Sequence, residues 1–357
     1  MNPSEPVAPD RIVRVGHREV GEGRPVLIIA EAGVNHDGSV QKALQLVDVA
    51  ADAGADLVKF QMFQAADLAT THAPTAAYQK PAAGDSQRQM LRKLELSETD
   101  FERIAAHCHQ RSIGFLATPF GITDVDRLVR LGVPAIKIAS SDLNNPLLLR
   151  RAADTRLPLI LSTGASTGDE IAATVRRLRS WNADQRLILL HCVSGYPTPL
   201  EAANLRAIAA LRRTYHLPCG FSDHTQATEI AGWAVAAGAC VLEKHFTLDR
   251  AARGPDHAMS LDPHQLKAYI ATARAAERAL GTGQLGFQPV EAETRRLARR
   301  SVVAAQFIPA GAILTRQLLT VKRPGGGIPP DQLDALVGRR AATDIYPDTV
   351  LAWEHVR

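Results

Sequence analysis

Eight times between residues 26 and 245 a short aliphatic run ends in polar chemistry: VLIIAEAG, DLVKFQ, GFLATPF, AIKIASS, PLILSTG, LILLHC, CGFSDH and CVLEKH. Runs of this length and composition suit strands buried on both faces. Seven are followed by a stretch that reads as a helix, and the eighth leads into the longest such stretch. Eight alternating strand and helix units are the count of an α/β (β/α)8 TIM barrel. In that fold the chemistry collects at the C-terminal strand ends, where Glu31, Lys59, Gln61, Thr118, Lys137, Ser140, Ser222, Asp223, His224, Glu243 and His245 fall. A strand buried on both faces gains no stability by ending in Lys or Glu, so the pattern predicts a site as well as a fold.

Local signals set the boundaries. Ser39 caps a helix over 39–53, with Ala43, Leu44, Val47, Ala50 and Ala51 on one face and Gly54 as its stop. Ser97 opens a helix over 97–111, the pair Asn145-Pro146 opens the one after strand four, and Thr167 with Asp169 and Glu170 opens the one after strand five. Ser162 and Thr163 read as caps for that same helix. A helix over 262–280, stopped by Gly281, completes the barrel. Residues 11–21 alternate apolar and polar and predict a small hairpin that covers the N-terminal end of the barrel. The connection over 65–96 is long enough to expect a lid or excursion. After Gly281 periodicity fades, and the strand-like pieces SVVAA, AILT, LLTVKRP and VLAWE follow, separated by Gly and Pro. The predicted organisation is a barrel domain over 1–285, a linker over 286–297 and a small β-rich domain over 298–357.

Composition narrows the partners. Of 357 residues 46% are hydrophobic, a globular value, and the net charge of +4 is too small and too dispersed to expect nucleic-acid binding. The cluster Arg295, Arg296, Arg299 and Arg300 reads as a solvated helix face near the linker, or else as a basic patch. Four cysteines without a CxxC pair predict small buried thiols in a reducing compartment. No apolar segment opens the chain and no run of ~18 apolar residues occurs, so no signal peptide, no membrane span and a cytoplasmic location are expected.

Two constellations carry chemistry. His224 and His245 end adjacent strands roughly 5 Å apart, with Glu31, Asp223 and Glu243 nearby. Two imidazoles with carboxylates and room for water suit Mn²⁺, Mg²⁺ or another divalent ion better than a closed zinc site. Lys59 and Lys137 end strands two and four. Buried lysines need partners. Either they bind an anionic ligand, with Thr118, Ser140 and Ser222 as hydroxyl partners, or they form ion pairs with Glu31 and Glu243.

The motifs AEAGVNHDGS, VKFQ, TPF, KIASSD, LSTG, HCVSGYPTP, GFSDHT, LEKHFT and GPDHAMS occur in that order, followed by RSVVA and VKRPGGG. Together they resemble the bacterial sialic acid synthases, which make N-acetylneuraminate and related nonulosonic acids and end in a small antifreeze-like (SAF) domain. The resemblance runs from about Arg11 to the C-terminus. It implies a metal-dependent transferase that condenses phosphoenolpyruvate with an open-chain N-acylated hexosamine, N-acetylmannosamine first, by C–O cleavage. By position it implies His224 and His245 as ligands of Mn²⁺ or Mg²⁺, and Glu31 and Glu243 beside the reacting water. Lys59, Thr118, Lys137, Ser140 and Ser222 would hold phosphoenolpyruvate, and Gln61, Asp142, Ser194, Tyr196 and Asp256 the sugar. Arg323 would reach the sugar site of a second copy in a domain-swapped homodimer.

Two positions depart from the N-acetylneuraminate members: Ser141-Asp142 replaces Gly-Glu, and Ser194 replaces Asn. Both belong to the sugar end, which leaves N-acetylmannosamine, its 6-phosphate and a 2,4-diacetamido-2,4,6-trideoxyhexose open as acceptors. A Schiff-base aldolase using Lys59 or Lys137 is the competing reading.

Overall fold

The computed structural model describes residues 11–74 and 86–357. The first ten residues, read above for a leader, and the middle of the 65–96 connection lie outside the described residues. The chain divides into two compact units, the first ending at Gly281 and the second beginning at Thr282.

The first unit opens with an antiparallel hairpin, β1 Val13–Val15 and β2 Arg18–Val20. Eight parallel strands follow: β3 Leu27–Gly33, β4 Leu57–Met62, β5 Gly114–Pro119, β6 Ile136–Ile138, β7 Leu159–Ser162, β8 Leu187–Cys192, β9 Cys219–Asp223 and β10 Val241–His245. Their order is β5-β4-β3-β10-β9-β8-β7-β6, and its two ends, β5 and β6, are in contact, which closes the barrel.

The helices begin where their caps predict. For α1 Val40–Ala53, Ser39 accepts the Lys42 N–H, and Gly54 ends it at φ 86°, a left-handed geometry that favours glycine. In the β4–β5 connection lie α2 Ala65–Leu68, α3 Gln87–Lys93 and α4 Glu98–Gln110. Helix α5 is Ile122–Arg130, and α6 Pro146–Asp154 starts with Asn145 accepting the Leu148 N–H. Helix α7 Gly168–Ser180 starts at a Thr167–Glu170 capping box, so Ser162 and Thr163 do not cap it as the sequence suggested. Helices α8 Arg206–Tyr215, α9 Ile230–Ala236 and α10 Pro263–Leu280 complete the ring.

Period-two alternation sorts every strand residue. Ile28, Val58, Leu161, Leu189, Phe221 and Leu242 face the helix layer and join its large core. Leu27, Ile29, Leu57, Leu116, Ile160, Ile188 and Val241 form a separate cluster at the strand starts, together with Val13, Val15 and Val20. The hairpin therefore plugs the N-terminal end of the barrel. Continuing inward by twos, the same registers deliver Glu31, Lys59, Thr118, Lys137, Ser162, Cys192, Ser222 and Glu243 to the C-terminal end.

The second unit contains α11 Ala292–Ala298, β11 Ser301–Ala304, β12 Leu319–Lys322 and α12 Leu333–Leu336. The stretch read as a linker is thus partly helical, and the Arg295 guanidinium lies over the Phe287 ring. Strands β11 and β12 pair antiparallel, while the AILT and VLAWE segments contribute single bridges, Ile313 with Arg340 and Val350 with Val303. Turns and bridges around one apolar cluster that includes Val302, Leu314, Leu336 and Leu351 make up the unit.

Candidate active site

The ends of the eight strands enclose a cavity of about 490 Å³. Its floor is charged. Lys59 Nζ lies 2.8 Å from Glu31 Oε2 and 3.6 Å from Glu243 Oε2, and Lys137 Nζ lies 3.7 Å from Glu243 Oε1. All four side chains are buried. The ion-pair reading of the lysines is therefore realised. It does not exhaust their donors: Lys59 donates to Thr118 Oγ1 at 2.9 Å and Lys137 to Ser162 Oγ at 2.7 Å. Ser222 donates to Glu243 Oε1 at 2.9 Å, and Ser140 Oγ accepts the Gly164 N–H at 2.9 Å. A side chain at Gly164 would strike the Ser140, Cys192 and Ser194 heteroatoms, which explains a residue without Cβ there.

Position sorts the charges. Burial pushes the Glu31 carboxyl above its ordinary range, and Lys59 only partly offsets that. Burial acts on Glu243 in the same sense, but Lys137 and Lys59 together outweigh it and hold the group below its ordinary range. Lys59, between two carboxylates, is raised despite its burial, whereas burial leaves Lys137 lowered. One carboxyl is thus suited to hold a proton and the other to remain ionised, a division suited to acid–base work.

His224 and His245 lie on the same cavity with ring centroids 5.5 Å apart. His224 donates its Nδ1–H to the Val193 carbonyl at 2.8 Å, which leaves Nε2 with a free lone pair. Burial lowers His245 well below its ordinary range and keeps it neutral, and its Nδ1 is buried without a hydrogen-bond partner. Burial also lowers His224, but Cys192 and the Val193 carbonyl outweigh it and leave its pKa raised, so a cation would displace a proton more readily taken up there than at His245. With that proton gone, two imidazoles on one cavity fit a divalent cation whose other positions go to water or substrate. Among the described residues no third His, Cys, Asp or Glu completes a ligand group around them.

Asp223 does not join this cluster, contrary to the sequence reading. It is the outward residue between Ser222 and His224, and it pairs with Lys244 at 3.0 Å in the helix layer. The sugar-end candidates divide. Gln61, Ser194 and Tyr196 line the cavity, with the Tyr196 ring 4.3 Å from that of His224. Asp256 is buried beside it, its Oδ2 3.8 Å from His245 Nδ1, and burial together with Glu31 raises its carboxyl to about 7. Asp142 is absent from the lining: the strand ends at Ile138, a 3-10 turn carries Ser140–Asp142, and the Asp142 carboxylate accepts from Asn145. Arg323 is an exposed residue of the second unit.

Several lining residues escaped the sequence reading. Ser162 and Cys192 were within reach of it, because each is two residues beyond an inward aliphatic position, Ile160 and Leu190. Leu68, Gln87 and Leu91 come from α2 and α3, and no periodicity points them at the barrel. With Phe120 the two leucines make an apolar wall backed by Val34, Phe63, Met90 and Leu94.

Comparison with known proteins identifies both domains. Residues 46–285 match the NeuB family and residues 299–357 match the SAF domain. The N,N'-diacetyllegionaminic acid synthase of Legionella pneumophila subsp. pneumophila is 38% identical over 346 residues, 96% of this chain and 97% of that one. The N,N'-diacetyllegionaminic acid synthase of Campylobacter jejuni subsp. jejuni is 40% identical over 331 residues, 92% of this chain and 99% of that one. Among solved structures, the N-acetylneuraminic acid (sialic acid) synthetase of Leptospira borgpetersenii in complex with citrate superposes with a TM-score of 0.71 at 35% identity, covering 80% of this chain and 95% of that one.

Proposed function

This chain belongs to the NeuB family, and on that premise we propose that it is a nonulosonic acid synthase, a transferase that condenses phosphoenolpyruvate with an open-chain N-acylated hexosamine and releases inorganic phosphate. The observation that carries this reading is the buried quartet Glu31, Lys59, Lys137 and Glu243 beside the paired imidazoles of His224 and His245, all on one barrel mouth.

Lys59 and Lys137, with Thr118, Ser140 and Ser222, hold the phosphate and carboxylate of phosphoenolpyruvate through charge-assisted hydrogen bonds. His224 and His245 hold a divalent cation, Mn²⁺ or Mg²⁺, which when bound supplies Lewis-acid polarisation of the acceptor carbonyl. Carbon C3 of phosphoenolpyruvate bonds to the aldehyde carbon, whose oxygen takes the proton held on Glu31. Water adds to the cationic C2 and gives up a proton to Glu31. The bond from C2 to the phosphate oxygen then breaks and the C2 hydroxyl loses its proton, leaving a 2-keto acid and phosphate. Glu243, held ionised by both lysines, stabilises the charge developing at C2. Gln61, Ser194, Tyr196 and Asp256 orient the acceptor, and Arg323 of a second copy covers it in a homodimer.

Identity over nearly the full length to two N,N'-diacetyllegionaminic acid synthases favours a 2,4-diacetamido-2,4,6-trideoxyhexose as acceptor. The apolar wall of Leu68, Leu91 and Phe120 suits its methyl groups. The likeness to a sialic acid synthetase favours N-acetylmannosamine as the second reading. Phosphate release from phosphoenolpyruvate, with and without Mn²⁺ and across both sugars and N-acetylmannosamine 6-phosphate, tests the proposal. Metal- and sugar-dependent release with a nine-carbon keto acid is expected. Release without any sugar requirement, or a pyruvate adduct trapped by borohydride with no effect of EDTA, would sink it.

A further inference from the structure

Outward strand positions in the barrel face the helix layer and are apolar, as Phe221 and Leu242 illustrate on β9 and β10. Two residues next to these break the rule. Lys244 and Asp223 are both buried there, and Lys244 Nζ lies 3.0 Å from Asp223 Oδ2. Lys244 also donates to the Thr225 carbonyl and lies 5.8 Å from the centroid of the buried Tyr269 ring of α10. Asp223 Oδ1 accepts the Thr225 N–H at 2.8 Å. The pair thus ties β10 to the turn that ends β9, and each of its members is one residue from an imidazole, Asp223 from His224 and Lys244 from His245.

Stability does not explain the pair. Two ions removed from water cost several kcal/mol each, and a buried pair replaced by apolar groups of similar volume is often neutral or stabilising. What the pair adds over Leu and Met at these positions is a fixed distance and a fixed rotation of the two strand ends. The turn has little slack: Asp223 holds it through the Thr225 N–H and Lys244 holds it through the Thr225 carbonyl, so one residue is clamped from both sides.

We infer that Lys244 and Asp223 are positioning residues that set the separation of His224 and His245 from the reverse face of the barrel wall, and so set the affinity of the site for a divalent cation. The inference rests on the reading of those two histidines as metal ligands. Groups that orient metal ligands from behind typically govern affinity by ~10–100-fold.

The test uses the full-length protein freed of metal, with Mn²⁺ alone as the probe. Direct Mn²⁺ binding and thermal unfolding are measured for wild type, for the double variant Asp223→Leu with Lys244→Met, and for Asp223→Asn. The double variant is expected to unfold at or above the wild-type temperature and to raise the Mn²⁺ Kd by ~10–100-fold. Asp223→Asn keeps an acceptor for Thr225 and loosens only the ionic link, so a smaller rise in the same direction is expected. Wild-type Mn²⁺ affinity in a folded double variant, or a double variant that cannot fold, would overturn the inference while leaving the metal reading intact. Absence of Mn²⁺ binding by wild type, matched by His224→Ala, would overturn both.

Discussion

The floor and the mouth of the barrel interior are built by the same inward faces of the same strands, yet they differ in kind. At the floor Leu27, Ile29, Leu57, Leu116, Ile160 and Ile188 pack against the N-terminal hairpin. Two residues further along, the mouth holds Glu31, Lys59, Lys137 and Glu243, buried to nearly the same degree. Burial at the floor removes apolar surface from water and stabilises the fold. Burial at the mouth separates ions from water and opposes folding unless each finds a partner. The closed barrel lets one end supply stability that the other end spends on preorganised charge.

Substitutions at the two ends should therefore separate turnover from stability. His224→Ala is expected to lower turnover by on the order of 10³-fold, several kcal/mol of lost transition-state stabilisation, with the unfolding temperature of the metal-free protein retained. Steady-state kinetics in Mn²⁺ buffer check this, and wild-type turnover would remove His224 from the site. At the floor, Ile160→Ala should cost about 3 kcal/mol of stability through a cavity, seen in denaturant unfolding, while KM for phosphoenolpyruvate stays put.

The layer outside the strand ends should also be pH-sensitive. His36, in the loop that follows β3, is fully buried, and its Nδ1 accepts the Gly38 N–H at 3.1 Å. Burial lowers its pKa from 6.5 to about 4. The unfolded chain takes up this proton at the ordinary pKa and the folded chain only near the lowered one. The stability this histidine contributes is thus complete above the unfolded pKa and is lost as pH falls through that window, by about 3 kcal/mol at most. Denaturant unfolding at both ends of the window should show a smaller loss for His36→Gln than for wild type. An equal loss would place the acid sensitivity elsewhere.

Lys137→Met sharpens the contrast further. Burial lowers the Lys137 pKa, so its charge costs folding energy at neutral pH. Glu243 keeps Lys59 as a partner, so the variant should stay folded while KM for phosphoenolpyruvate rises roughly tenfold or more. Loss of stability with unchanged KM would make Lys137 structural. The smallest effect is expected for Arg323→Ala, a rise of a few-fold in KM for the sugar and little for phosphoenolpyruvate, about 1 kcal/mol. Equal effects on both substrates would remove the proposed cover.

Much of this was legible in one dimension. Eight aliphatic runs fixed the strand count, caps such as Ser39, Asn145 and Thr167 set where helices start, and the polar residue closing each run marked the mouth. These are local properties, set by the pleat, the helix repeat and the unsatisfied amides of a first turn. What local order could not supply was the face on which a polar residue lands once strands twist and close. Asp223 and Lys244 read like their neighbours in sequence and turned out to lie behind the wall, while Ser162, read as a cap, accepts from Lys137. Leu68 and Leu91 reach the cavity from an excursion whose path depends on packing against Val34, Phe63, Met90 and Leu94. The sequence by itself determined the elements and the chemistry available. Only the tertiary structure decided which charges share a cavity, because a shift of one residue along a strand exchanges its inner face for its outer one.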